Sequence, residues 1–294
     1  MLEFSSISPK DYERYYKYRD KDPSVASEAS FTTVFIWNNY YNLECSENGE
    51  FFFLRFNIKG KEPSYFFPIG SGNIDKALAE LSDYAASKGE KLCFRLVSKE
   101  NKDKLIEAFG DRLKVKESRD SFDYVYLTQR MISLSGKKLH SKRNHLNYFI
   151  ENYNYKYVKV EDKATLEKCA EKAYELVSLK KKNKNSFELG AMKSYFEHYF
   201  EFNQTGAMLE IDGEIAAMSF GEKISDDTAL IQIELADDNY RGAYQAINKL
   251  FCENEWESFA YVNREEDMGI EGLRKAKMSY QPEFLVEKYY LWEE

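Results

Sequence analysis

Twice along this chain the spacing of apolar residues runs through one order: a pair of helices, an antiparallel meander, then helix, strand, helix and strand. Each pass supplies a sheet and the helices that cover it, so two layered α/β units are expected rather than one enlarged core. The 294 residues suit two cores of about 150 residues each, and 21 Phe and 23 Tyr supply the bulk to fill them. The units are placed at residues 1–135 and 136–294.

In the first unit Ser8 and Pro9 open a helix that Tyr12, Tyr15, Tyr16 and Arg19 continue. A second helix is expected over 27–38. The aromatic and branched runs 51–58 and 65–69, parted by Gly60 and Pro63, read as a hairpin. A helix over 74–87 stops at Gly89, and then come a strand over 91–97, a helix over 101–109 and strands over 113–115 and 124–127. The second unit begins with helices over 165–181 and 187–202. Strands over 207–211, 215–221 and 228–236 follow, with Asp212 and Gly213 as a hairpin turn. A helix over 243–256, a strand over 259–262, a helix over 270–277 and one last strand over 284–291 complete it.

Charge and motifs remove several functions. A net charge of -8 argues against a general binder of nucleic acid or anionic membrane. Locally the balance reverses: between Thr128 and Asn147 stand Arg130, Lys137, Lys138, Lys142 and Arg143 with no Asp or Glu. That basic island suits the backbone of a tRNA or the phosphates of a cofactor, or else it is the solvated face of a linker helix. No apolar run approaches the roughly 20 residues of a membrane span, and the first twenty residues hold no apolar signal core, so a cytoplasmic protein is expected. The four cysteines lie far apart and read as buried thiols, so neither disulfides nor a metal site is inferred. GxSxG, HExxH, CxxC, GxxxxGK[ST] and GxGxxG are all missing. Of three histidines, His198 sits among aromatics on a helical pattern and reads as structural.

The order of elements resembles that of the GNAT acyltransferase fold, which implies an α/β (α+β) chain of two tandem GNAT-like acyltransferase domains. The run Asp238-Asn239-Tyr240-Arg241-Gly242-Ala243-Tyr244-Gln245-Ala246 falls between a strand and a helix, where that fold carries its diphosphate loop, [QR]xxGx[GA]. Arg241 and Ala246 fit the ends, but Tyr244 stands at the inner glycine and would crowd amides that must approach a diphosphate. Ordinary acetyl-CoA use is therefore not expected, and a plain helix start with Arg241 in solvent is the other reading.

A longer stretch runs Asn263-Arg264-Glu265-Glu266-Asp267-Met268-Gly269-Ile270-Glu271-Gly272-Leu273-Arg274-Lys275-Ala276-Lys277-Met278-Ser279-Tyr280-Gln281-Pro282. It follows a strand, where clefts open, and Arg274 and Lys277 share a helical face. It resembles the pattern N-x-E-x-D-x-G-x-x-G-L-R-x-x-K-x-S-Y-x-P of the family that includes the C-terminal catalytic region of phosphatidylglycerol lysyltransferase. The block from Leu134 to Phe149, which carries G-K-K-L-H-x-K-R-N-x-L-N-x-F, and the flanks Ser27-Glu28-Ala29-Ser30-Phe31-Thr32 and Ile36-Trp37 are similar to soluble members of that family. The resemblance implies two GNAT-type, Fem-like domains, with aminoacyl-tRNA as donor and a lipid head group as acceptor in the lysyltransferases.

These readings give candidate roles. Glu234, near the end of its strand, and Asp267 are the expected catalytic carboxylates, with Asp267 or Glu266 holding a donor's ammonium group. Asn263, Glu266, Arg274 and Lys277 are expected to bind substrate, and Lys138, Lys142, Arg143 and Arg241 to bind donor phosphates. The expected activity is aminoacyl transfer from aminoacyl-tRNA, or acyl transfer from another activated donor such as acyl-CoA, to an amine or hydroxyl acceptor. A catalytically inactive module of the same fold that binds a small molecule or tRNA is the alternative, and a pure interaction protein is a third.

Overall fold

The computed structural model describes residues 2–180 and 186–294. The first stretch of chain forms β1 (Ser5–Ser6), α1 (Tyr12–Arg19), α2 (Phe31–Ile36), α3 (Asn38–Tyr41), β2 (Leu43–Glu47), β3 (Phe51–Phe56), β4 (Ser64–Tyr65), β5 (Ile69–Gly70), α4 (Ile74–Ser87), β6 (Cys93–Ser98), α5 (Lys99–Phe109) and β7 (Leu113–Glu117). After it come β8 (Asp123–Leu127), α6 (Thr128–Ser133), α7 (His140–Asn152), β9 (Tyr155–Lys159), α8 (Lys163–Lys180), α9 (Ser186–Glu197), β10 (Thr205–Ile211), β11 (Glu214–Lys223) and β12 (Thr228–Ala236). The chain closes with α10 (Ala243–Glu255), β13 (Tyr261–Asn263), α11 (Glu271–Met278), β14 (Phe284–Val286) and β15 (Lys288–Glu293). The expected end of α8 at Lys181 lies outside the described residues.

Two sheets result, in the orders β1-β2-β3-β4-β6-β15-β7, with β5 also on β3, and β14-β8-β13-β12-β11-β10-β9. Each is covered on both faces, and the alternation of side chains shows how. In β3, Phe51 and Phe53 pack with Leu78 and Leu81 of α4, while Phe52, Leu54 and Phe56 pack with Tyr15 of α1 and Phe31 of α2. In β10, Ala207 and Leu209 face Ile247 and Phe251 of α10, while Met208 faces Cys169 of α8 and Tyr195 of α9. Cys45, Cys93, Cys169 and Cys252 are buried free thiols.

Three local departures from the sequence-based expectations matter for function. The helix expected over 27–38 is broken: Ser30 is extended and its side chain accepts the N–H of Thr33, so α2 starts at Phe31. This frees Ser27 and Glu28 to turn inward. The strand expected over 284–291 is two strands, β14 in the second sheet and β15 in the first, parted by Glu287. The expected meander of the first unit gains β2, which pairs with β3 from Leu43↔Phe56 to Glu47↔Phe52.

The sheets therefore share chain across the middle of the molecule. β8 pairs with β13 and β14, while β15, from the far end of the sequence, lies between β6 and β7. Lys288 pins the crossing. Its ammonium group is buried and donates to Glu28 Oε1 (2.6 Å), Asp123 Oδ1 (2.7 Å) and Ser27 Oγ (3.1 Å), joining three distant segments.

Candidate active site

The second sheet opens beside β12. Parallel β13 pairs with it only over Thr228↔Tyr261 to Leu230↔Asn263, and beyond that point Ile231 to Leu235 line a cavity of about 1090 Å3. The opposite wall comes from the first half of the chain, with Glu28, Thr33, Trp37, Tyr40 and Tyr41. The floor is the loop between β13 and α11. A crevice where two parallel strands part is a common place for ligands in α/β sheets.

That loop is held by the polar residues of the long sequence motif. Asn263 is fully buried; its side chain donates to Val25 O (2.7 Å) and Asp123 Oδ2 (3.1 Å) and accepts the N–H of Glu265 (2.7 Å). Lys277 reaches up from α11 and donates to the carbonyls of Arg264, Glu265 (3.1 Å) and Glu266 (2.6 Å). Burial and the nearby Arg264 pull its pKa below the usual lysine value. Asp267, also fully buried, accepts from Arg274 Nε and Nη2 (both 2.8 Å), Arg119 (3.3 Å), the Tyr124 hydroxyl and the N–H of Gly269 (2.9 Å). Burial pushes the Asp267 carboxyl up, but these donors outweigh it and hold it well below the usual carboxylate range. Such a cage permits an unusual backbone: Glu265 and Met268 adopt left-handed φ values of 55° and 52°. Leu96, on the wall, has φ 55°, so three strained non-glycine residues line one cavity.

Two groups of charge lie at the space. The acidic group is Glu28, Glu265 and Glu266 on the lining with Asp123 buried behind them, served by Lys277 and Lys288. Burial raises the Glu28 carboxyl, against the pull of Lys288, to about 7. Glu28 lines the cavity, and its Oε2 is buried without a hydrogen-bond partner among the described residues. Burial, with Glu266 next to it, also raises the Glu265 carboxyl well above its usual range.

The cationic group is Arg264 and Lys142. Arg264 Nη2 donates to Glu234 Oε1 (2.6 Å), and Asn248 donates to Glu234 Oε2 (2.8 Å). The Arg264 guanidinium lies over the rings of Tyr280 and Tyr126, and its Nη1 is buried without a partner among the described residues. Lys142 Nζ sits 4.4 Å from the Tyr280 ring centre, and burial and Arg264 lower its pKa. Tyr244 and Gln245, at the first turn of α10, complete this wall. Just before them Gly242 has φ 91°, and a Cβ there would meet His145 O at 2.2 Å, so only glycine fits between the helix start and α7.

Of the residues expected from sequence, Glu234, Glu266, Lys142 and Lys277 come together on the cavity. Asn263, Asp267 and Arg274 stand behind its floor, where Arg274 also pairs with Asp120 (2.7 Å). Lys138 is exposed, Arg143 donates to Leu134 O and Gly136 O, and Arg241 lies 4.3 Å from the Tyr148 ring centre; all three lie outside the cavity lining. Glu28, Arg264 and Glu265 were not singled out from sequence, although Glu265 occupies the E of the N-x-E motif and Glu28 lies within the Ser27 to Thr32 flank. Among the described residues no cluster of His, Cys, Asp and Glu is arranged to hold a metal, and no helix is long and apolar enough to cross a membrane.

With this geometry in view the comparisons with known proteins are specific. Residues 22–292 match the family described as phosphatidylglycerol lysyltransferase, C-terminal. An uncharacterised protein of Mycoplasmoides gallisepticum is 30% identical over 184 residues, 58% of this chain and 55% of that protein, so the match spans about half the length of that relative. A crystal structure of a conserved protein of unknown function from Bacteroides thetaiotaomicron superimposes over 100% of both chains, with a TM-score of 0.93 and 29% identity. L-PGS from Bacillus licheniformis superimposes over 98% of this chain and 93% of its own, with a TM-score of 0.71 and 16% identity. The fold is the expected tandem GNAT-like acyltransferase fold.

Proposed function

Since the chain belongs to the phosphatidylglycerol lysyltransferase C-terminal family, we propose that it is an aminoacyltransferase. It moves an aminoacyl group from aminoacyl-tRNA to an amine or hydroxyl acceptor held in the cavity beside β12. The observation that carries this reading is Glu28 on the cavity lining, a carboxylate whose buried Oε2 has no hydrogen-bond donor among the described residues. Leaving such an atom unpaired costs about 1–3 kcal/mol, and an N–H donor on a ligand removes that cost.

Charge points the same way. Four carboxylates less two ammonium groups leave the acidic group two negative charges in surplus when all are ionised. The side-chain cation of a lysyl or arginyl group offsets that surplus, whereas a plain acetyl group does not. Lys142 and the free Nη1 of Arg264 suit the opposite need, a phosphate or the oxyanion that forms as the ester carbonyl is attacked. Tyr244, at the inner glycine of the diphosphate loop, supports an aminoacyl ester over acyl-CoA. In this scheme Asp267 and Arg274 position the loop, Glu234 anchors the Arg264 guanidinium, and Lys138, Arg143 and Arg241 lie on the side from which a tRNA backbone approaches.

Hydroxylamine serves as a surrogate acceptor, because it takes an aminoacyl group as a hydroxamate. The purified chain is expected to accelerate hydroxamate formation from aminoacyl-tRNA, most with lysyl or arginyl donors, and to leave acetyl-CoA untouched. Acceleration with acetyl-CoA alone, or no acceleration with any donor, would reject the assignment.

A further inference from the structure

Three carboxylates on this cavity have different partners, and the difference separates their roles. Glu234 spends both oxygens, on Arg264 and Asn248. Glu28 spends one oxygen on Lys288. Glu265 makes no ion pair among the described residues; its side-chain contact is a hydroxyl, Thr33 Oγ1, 3.4 Å from Oε1. That hydroxyl is oriented, since Gln232 Nε2 donates to it at 3.1 Å and leaves its proton for Glu265. The backbone of Glu265 is fixed at both ends, its N–H on Asn263 and its carbonyl on Lys277, in a left-handed conformation that costs free energy. A carboxylate that is held in place, faces a cavity and lacks a counterion is arranged to take a proton.

We infer that Glu265 is the proton acceptor of the transfer step, an assignment that rests on the aminoacyltransferase reading above. The acceptor nitrogen or oxygen forms a bond to the ester carbonyl carbon while its proton passes to Glu265. The bond from that carbon to the ribose oxygen of the tRNA then breaks, and Glu265 returns the proton to the leaving oxygen. The carboxylate ends as it began, and no oxidant, reductant or further reactant is needed.

The surroundings support the protonation this requires. Glu265 is faced by Glu266, by Asp123 of β8, by Lys277 of α11, by Lys288 of β15, by the Thr33 hydroxyl and by Tyr195 of α9, and shares the cavity lining with Glu28 from the segment before α2. Burial and the neighbouring carboxylates raise its pKa against the two lysines. A base of raised pKa takes a proton from an ammonium or hydroxyl acceptor more readily than an ordinary glutamate does.

The test compares wild type with E265Q in the hydroxylamine assay across pH, together with donor affinity. Glu265→Gln is expected to lower kcat by about 100-fold or more, well beyond any change in the Kd for lysyl-tRNA, and to remove the acid limb of the pH profile. Carbon-13 NMR of glutamate-labelled wild type reads the group directly: the carboxyl signal missing from E265Q is expected to titrate above the ordinary glutamate range. Turnover in E265Q within threefold of wild type, or a Glu265 signal that titrates in the ordinary range, overturns the assignment alone and leaves the aminoacyltransferase reading standing. A wild type inert toward every donor overturns both.

Discussion

In the acidic group four carboxylates share two ammonium groups, whereas in the cationic group Arg264 is matched by Glu234, which Asn248 holds in turn. The first group comes from segments far apart in sequence: residues 27–28, 123, 265–266, 277 and 288. The second is built within the second half of the chain, on α7, β12 and the loop after β13. The contrast teaches where the cavity still lacks partners. Arg264 and Lys142 have local neighbours that fix them without a ligand, while the four carboxylates outnumber their two ammonium groups, and burial raises the Glu28 and Glu265 carboxyls in response. In the proposed transfer the donor's ammonium group is met where the two halves of the molecule come together.

The contrast is broken most forcefully at Lys288. Replacing it by Met leaves Glu28 and Asp123 facing each other in a buried site, and unfolding in urea should report a loss of about 3–5 kcal/mol. A loss under about 1 kcal/mol would mean that the crossing strand is held by β-pairing alone.

Glu28→Gln tests the surplus through pH. In the unfolded chain a glutamate titrates near about 4.3, and in the folded protein Glu28 titrates at about 7. Between these values the folded state binds more protons than the unfolded state, so wild-type stability falls as pH rises through that window. The variant lacks this contribution. It should match wild type near about pH 5 and exceed it by about 1–3 kcal/mol near about pH 8; equal pH dependence of the two would remove Glu28 from the surplus.

The same variant sharpens the comparison by ligand. Calorimetry with lysine methyl ester should show E28Q binding about tenfold more weakly, about 1.4 kcal/mol, and norleucine methyl ester, which lacks the side-chain ammonium, should not distinguish the two proteins. The smallest effect belongs to the cationic group. Lys142→Met should weaken lysyl-tRNA binding about threefold to fivefold and leave lysine methyl ester affinity unchanged; the reverse pattern would place Lys142 with the acidic group.

Much of the fold was legible in the residues. The run from Phe51 to Phe56 alternates between two covered faces as its spacing requires, Asp212 and Gly213 form the tight turn between β10 and β11, and β12 spans residues 228–236 as read. Side-chain periodicity reports which face is buried, so it finds elements well. It does not report which sheet an edge belongs to, and so one apolar run over 284–291 concealed two strands in different sheets. Ser30 is a comparable case: Ser is tolerated inside a helical pattern, and its role as the start of α2 depends on Glu28 being drawn toward Lys288, 260 positions away in sequence.

The site divides along the same line. Local order in the sequence marked the loop from Asn263 to Lys277, because a motif whose residues hold one another over fifteen positions is written in consecutive letters. Consecutive residues therefore suffice to mark two GNAT-like units and the segment that forms the cavity floor. That Asp267 and Arg274 lie behind that floor while Glu265 faces the cavity, and that Glu28 meets them from the other half, follows from packing. The reason is physical: whether a carboxylate is spent or free depends on the donors that packing brings to it, and those donors come from β8, α11 and β15, which only the assembled sheets place side by side.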